Sequence, residues 1–302
     1  MISSYEEKSF TTYLNYVVAI SKIFPEDAAD DLQKIDVSSI KKISLNDKKD
    51  IKKLLYLAWS TENILNEAHN DECVVVYANL WSTVQLYYAI FSIMRAYLLL
   101  FKCTPKDHVA LMNAIVSKIE SKDYFIGPWK TIYMPKKREF SSLPRGVKIN
   151  REISNLTRFW NKTPSNCWSL FYKFSNSTLS KLIDKKYYDS KKSKTRKLIT
   201  QEISPICLLH LLYRLRCRSN YQDGDAFIKG TNSVEDAKIF IKEICNICYN
   251  SFFNFEYIIS RYLSTSDYSN IVNEYKLDME RLSQKKQHNC VNRLNIIKGF
   301  SK

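Results

Sequence analysis

From Ser4 to Phe24 the apolar positions Phe10, Tyr13, Leu14, Val17, Val18, Ile20 and Ile23 follow a helical period and predict an opening helix. Pro25-Glu26-Asp27 then starts a short acidic helix, proline and acids being favoured in a first turn. Ser44 with Asp47 has the form of a capping box, ahead of Leu54, Leu55, Ala58, Ile64, Leu65 and Ala68. Thr104-Pro105 reads as an N-cap and N1 proline before Ala110, Leu111, Ala114, Ile115 and Ile119, and Ser204-Pro205 repeats the signal before Leu208, Leu212 and Leu215. Gly224 and Gly230 bracket a predicted loop. Ser233 with Asp236 caps a long helix through Ile244, Ile247, Phe252 and Ile259, and a last helix is expected from Tyr268 to about Gln287.

Between these helical halves the pattern breaks. Pro128, Pro135, Pro144, Pro164, Gly127 and Gly146 fall within 124–168, where no regular helix is expected because each proline removes a backbone donor. Thr131-Ile132-Tyr133 and Gly146-Val147-Lys148-Ile149 are weak strand candidates. With only 5 Gly and 7 Pro in 302 residues, the rest of the chain has few helix breakers. The class that follows is all-α.

One run, Val74 to Phe101, is apolar for long enough to raise a membrane span. Asn79, Gln85 and Arg95 interrupt it, and an ionised Arg in lipid is costly, so a buried bundle helix and no membrane are expected. The polar opening Met1 to Lys8 does not read as a secretory signal, which makes the expected location cytoplasmic and the 8 Cys thiols.

Charge separates the middle of the chain from its flanks. Residues 121–200 hold 19 Lys and Arg against 5 Asp and Glu, a net of +14, so the other 222 residues account for about +1 of the chain's +15. Clustered cations release counterions from nucleic-acid phosphates. Lys136, Lys137, Arg138, Lys191, Lys192, Lys194, Arg196 and Lys197 are the phosphate-binding candidates. Trp129, Tyr133, Phe140, Trp160, Trp168, Tyr172, Tyr187 and Tyr188 are interleaved with them. Such rings can stack on unpaired bases, but their apolar area reads first as a small core. An acidic protein partner would suit the same cations.

Two motifs carry a resemblance. Tyr87, Tyr88, Ala89, Phe91, Arg95 and Ala96, followed by Pro105, Lys106 and His108, form the first; Arg216 and Tyr221, with Ser219 and Asn220 between them, form the second. Together they resemble the two halves of a HEPN domain, over about 51–122 and 202–263. The second motif departs from the usual Arg-x-x-Ala-Asp-Tyr by having Ser219 for Ala and Asn220 for Asp. The resemblance implies an antiparallel helical bundle, RNA or nucleotide as partner, a bacterial defence or toxin-type setting, and a homodimer formed through the motif helices. Many HEPN ribonucleases carry an Arg followed four to six residues later by His. Here the next His after His210 is His288, so that dyad is missing.

Three readings of Arg216, Arg218, Asn220, Tyr221, Asp223 and Asp225 therefore stand side by side. They bind a phosphate or nucleotide, or form an unusual nuclease centre with Tyr221 or His108 moving the proton, or Arg216 pairs with Asp223 or Asp225 and holds the loop. His108, in a first helical turn, reads as structural before catalytic. His69 reads as a loop residue. Cys245-Asn246-Ile247-Cys248 sits in a helical apolar run without a second pair, so no metal site is assigned, and no cofactor motif occurs.

The expected organisation is an N-terminal helical extension (1–50), two bundle halves (51–122 and 201–265) around a basic, partly irregular insert (123–200), and a C-terminal helix and tail (266–302). The leading expectation is a non-canonical HEPN-like protein that binds RNA or a nucleotide. The alternatives are a non-catalytic adaptor with a protein partner in a defence complex, and a metal-independent endoribonuclease with a divergent centre.

Overall fold

Ser4 and Glu7 close a reciprocal cap on α1 (Tyr5–Ile23): the Ser4 hydroxyl accepts from Glu7 N at 3.2 Å and the Glu7 carboxylate from Ser4 N at 3.1 Å. The computed structural model describes residues 4–35, 45–71, 73–121, 124–157, 160–190, 194–231, 233–282 and 288–300. Ser44, Lys191 and Lys192 lie outside them. Within them the protein is all-α: twelve α-helices and one two-stranded hairpin.

The short α2 (Ala28–Gln33) follows α1, and α3 (Leu45–Asn70) pairs along α4 (Val75–Leu99). α4 lies between α3 and α10 (Val234–Leu263). That position explains its apolar run, since helices on several sides bury it. No described helix is long and apolar enough to cross a membrane. Asn79 donates to the Thr231 hydroxyl at 3.2 Å, and Arg95 is exposed over the Phe91 ring. His69 sits in the last turn of α3 and not in a loop.

Both proline start signals are corrected by a few residues. α5 (His108–Ser121) starts where Asp107 accepts from Ala110 N at 2.8 Å, so a carboxylate takes the capping role expected of Thr104. α8 (Leu208–Cys217) begins after Ile206, whose backbone exchanges hydrogen bonds of 2.8 and 2.9 Å with Tyr133. The helix cannot start until that bridge is complete.

The insert is more helical than its prolines imply. α6 (Pro164–Asp189) starts inside the segment expected to be irregular, with Thr163 capping Asn166 N at 3.4 Å and Pro164 in the first turn, where it has no hydrogen bond to lose. Of the strand candidates, only Tyr133 joins a strand: β1 (Tyr133–Met134) pairs antiparallel with β2 (Glu139–Phe140). Residues 146–149 form none, and Lys148 N and Asn150 N donate instead to the Ser165 and Ser169 hydroxyls of α6. α7 (Arg196–Glu202) closes the insert.

Helix α6 packs on α1, with Tyr16 and Phe174 stacked at 4.4 Å. Trp160 Nε1 donates to Asn15 Oδ1 at 2.9 Å, and Trp129 Nε1 to Ser251 of α10 at 3.0 Å. Trp129, Tyr133, Phe140, Trp168 and Tyr172 are buried, whereas Tyr188 is exposed. The insert aromatics are mostly core, as their size suggests.

The loop expected between Gly224 and Gly230 is also a helix, α9 (Gly224–Lys229). Phe227 organises it by stacking on Tyr13 at 5.1 Å and meeting Phe10 edge-on at 6.3 Å. The C-terminal region is two helices, α11 (Thr265–Leu282) and α12 (Asn289–Gly299). All eight cysteines are unpaired.

Candidate nucleic-acid interface

Tyr213 and Arg216 are three residues apart on α8 and so share a face, which lays the guanidinium 5.3 Å from the Tyr213 ring. α4 contributes the other walls: Arg216 is 5.3 Å from the Tyr87 ring and 5.0 Å from that of Tyr88. His108, the first residue of α5, completes the group, with its Nδ1 2.8 Å from the Tyr87 hydroxyl and its ring 5.7 Å from that of Tyr213. Residues from three helices converge here.

Arg216 is only 8% exposed, and its Nε and Nη1 have no hydrogen-bond partner among the described residues. Cation–π contact stabilises such a charge by about 2 kcal/mol or more when desolvated, less than the several kcal/mol that burial costs an ion. Burial works against the charged form, while the Tyr221 hydroxyl and the phenols of Tyr88 and Tyr213 favour it. Burial, then the Arg216 charge, lowers the His108 pKa. Both effects favour the neutral imidazole over the imidazolium.

The carboxylates foreseen for Arg216 go elsewhere. Asp223 pairs with Arg218 at 3.0 Å and accepts from the Tyr13 hydroxyl at 2.6 Å, while Asp225 pairs with Lys229 at 3.3 Å. The cause is a π-helical turn over Arg218–Gln222, closed by Asp223 N donating to Arg218 O at 2.7 Å. Such a turn holds one residue more than an α-turn and shifts the phase of the side chains beyond it. Arg218 and Asp223 tie the turn to α1, Asn220 sits half-buried in it, and Tyr221 is left 69% exposed. Arg214 is held separately, over Phe174 at 5.4 Å and donating to Thr178 at 3.0 Å.

The insert cations form a second group. Lys136 and Arg138 at the hairpin tip and Arg196 and Lys197 at the start of α7 line one cavity of about 420 Å³. Lys137 pairs with Glu139 at 3.6 Å and Lys194 with Glu202 at 2.7 Å, and neither lines the cavity. The cavity wall also holds Ser180, Thr200 and Gln201, which no charge or aromatic pattern in the sequence marks.

Cys245 and Cys248 lie within α10, and burial pushes both thiols up, that of Cys245 to about 12. Among the described residues no group of His, Cys, Asp and Glu could hold a metal ion. No protein-family model, curated protein or solved structure matches this chain.

Proposed function

We propose that this chain is a HEPN-like protein that binds single-stranded RNA around Arg216, in a bacterial defence or toxin-type system. The observation that carries the reading is the buried guanidinium with two donors unused and no carboxylate against it. A phosphodiester supplies the missing negative charge and acceptors in one group. Tyr88 and Tyr221, 42% and 69% exposed, offer ring faces for the adjoining bases. The insert cations outside the cavity add sequence-independent attraction. The test is labelled RNA incubated with nuclease-free protein in EDTA and resolved on native and denaturing gels. A band shift lost in Arg216→Ala is expected; a shift that survives the substitution excludes Arg216 as the anchor.

A second reading, metal-independent cleavage, is favoured by His108. A neutral His108 would accept the proton of a ribose 2′-hydroxyl as that oxygen attacks the adjacent phosphorus. Arg216 would balance the phosphorane charge, the P–O5′ bond would break, and the 5′-oxygen would leave with a proton from Tyr221 or solvent. A 2′,3′-cyclic phosphate end formed in EDTA and lost in His108→Ala supports this reading; intact RNA in the wild-type lane leaves binding alone.

The expected homodimer has support in Tyr77 and Trp81, 77% and 54% exposed and one turn apart on α4. Trp81→Glu should convert a dimer to a monomer in light scattering after size exclusion. A wild-type monomer rejects self-association. The adaptor alternative predicts a stoichiometric protein partner that survives nuclease treatment.

A further inference from the structure

The cavity in the insert differs in kind from the Arg216 cluster. Three segments form it: the hairpin tip with Lys136 and Arg138, the α6 face with Ser180 and Ile183, and α7 with Arg196 and Lys197. They are fixed relative to one another. Arg196 spans α7 and α6 by its 2.6 Å pair with Asp184 and lies 5.1 Å over Tyr187, while the Tyr133–Ile206 bridge anchors the hairpin.

Its charge is not internally balanced. Asp184, Glu139 and Glu202 are engaged by Arg196, Lys137 and Lys194. Among the described residues no carboxylate pairs with Lys136, Arg138 or Lys197, and none lines the cavity. Arg138 also has φ 53, a left-handed backbone that costs a non-glycine residue free energy, as its N–H closes the tip onto Met134 O at 2.8 Å. A glycine would hold that turn at lower cost. What arginine adds is a cation at the cavity wall.

Size and polarity narrow the ligand. About 420 Å³ lies in the small-molecule range of roughly 300–1,000 Å³, far more than one phosphate fills and too little for a duplex. The Ser180 and Thr200 hydroxyls donate to Asn176 O and Arg196 O, which leaves their oxygen lone pairs as acceptors for ribose or base donors. We propose that this cavity binds a nucleoside di- or triphosphate group, its phosphates on Lys136, Arg138 and Lys197. The site is independent of the RNA reading at Arg216. Two sources share the chemistry, a free nucleotide and the 5′-triphosphate end of an RNA.

Calorimetric titration of the full-length chain tests it, with ATP, GTP, AMP, and a short RNA bearing either a 5′-triphosphate or a 5′-hydroxyl. At least one triphosphate probe should bind tenfold or more tightly than AMP or the 5′-hydroxyl RNA. Lys136→Ala with Lys197→Ala, at exposed positions that leave the core intact, should weaken that probe at least tenfold, and Arg216→Ala should leave the binding of ATP and GTP unchanged. Arg138→Gly, which relaxes the turn, gives a second variant that removes a cation without a folding cost. Preference for the 5′-triphosphate RNA identifies an RNA end, and preference for ATP or GTP a free nucleotide. The proposal is overturned if no triphosphate probe binds, or if binding is indifferent to both charge-removing variants in folded protein. Failure of the 5′-hydroxyl RNA to bind the wild-type protein would count against the Arg216 reading and leave the cavity untouched.

Discussion

His108 and Arg216 contact the same three rings, Tyr87, Tyr88 and Tyr213, although more than a hundred residues separate them in the chain. An imidazole therefore accompanies the motif arginine even though no histidine follows it in sequence before His288. The two should have separable effects. Arg216→Ala removes charge-assisted hydrogen bonds of about 1.5–3 kcal/mol, which corresponds to a loss of RNA affinity of roughly ten- to a hundredfold. His108→Ala should leave affinity within about threefold and abolish any cleavage, because it takes away a proton acceptor and no charge. Equal losses of affinity in both variants, measured by fluorescence anisotropy, would sink this division of roles.

The all-α class and most helices were legible because apolar periodicity reports burial directly, as at Phe10, Val17 and Ile20 of α1. Boundaries were less so, since the caps at Asp107 and Cys207 depend on what precedes them, including a bridge to a residue more than seventy positions away. Candidate residues were legible by type and not by partner. Arg216, Arg218, Asp223 and His108 stood out, but a π-helical turn decides which arginine meets Asp223, and no local pattern of charges or apolar positions encodes it. Tyr213 was missed as a wall of the site because its role depends on α4 crossing α8. The grouping of Arg138 with Lys197 likewise exists only once the hairpin folds over α7.

Acid should destabilise the protein through His210. Its Nδ1 accepts from Cys207 N at 3.2 Å, and burial lowers its pKa to about 4. A group with a depressed folded pKa contributes stability that is present above its unfolded value, about 6.5, and lost as pH falls toward 4. The contribution is on the order of 2–3 kcal/mol. In urea titrations from pH 7 to pH 4, His210→Gln, which keeps an acceptor and cannot protonate, should show a shallower decline than wild type. Parallel profiles would dismiss His210 as the source.

Gly230 marks a close approach of α9 to α1. A Cβ there would lie 2.3 Å from Glu6 O and 2.5 Å from Ala226 O, both backbone atoms. Neither can swing aside as a side chain would, so overpacking should cost about 1–3 kcal/mol in Gly230→Ala. Its φ of −82 suits any residue, and strain is not the cause. Thermal unfolding should therefore begin several degrees lower, with Gly224→Ala, whose Cβ comes no nearer than 3.3 Å to any neighbour, as the milder control. A wild-type midpoint for Gly230→Ala would show that α9 can move away from α1.

Helix α12 is held by charge at its centre. Fully buried Arg293 donates to Glu62 of α3 at 2.7 and 2.9 Å and to Glu256 of α10 at 2.8 and 2.9 Å, and Glu256 also accepts from Trp59 and Tyr268. Both carboxylates and both phenyl-type neighbours, Tyr249 and Phe252, face the same guanidinium. Removing Arg293 would leave two like charges without a counterion, whereas removing one carboxylate leaves a matched pair. Arg293→Met should accordingly cost about 3–5 kcal/mol. Glu62→Gln, which keeps an acceptor for the guanidinium and leaves one Glu256–Arg293 pair, should cost less. Denaturant unfolding of both variants decides the point: equal losses would mean that packing of α12, and not charge balance, sets the stability of this corner of the bundle.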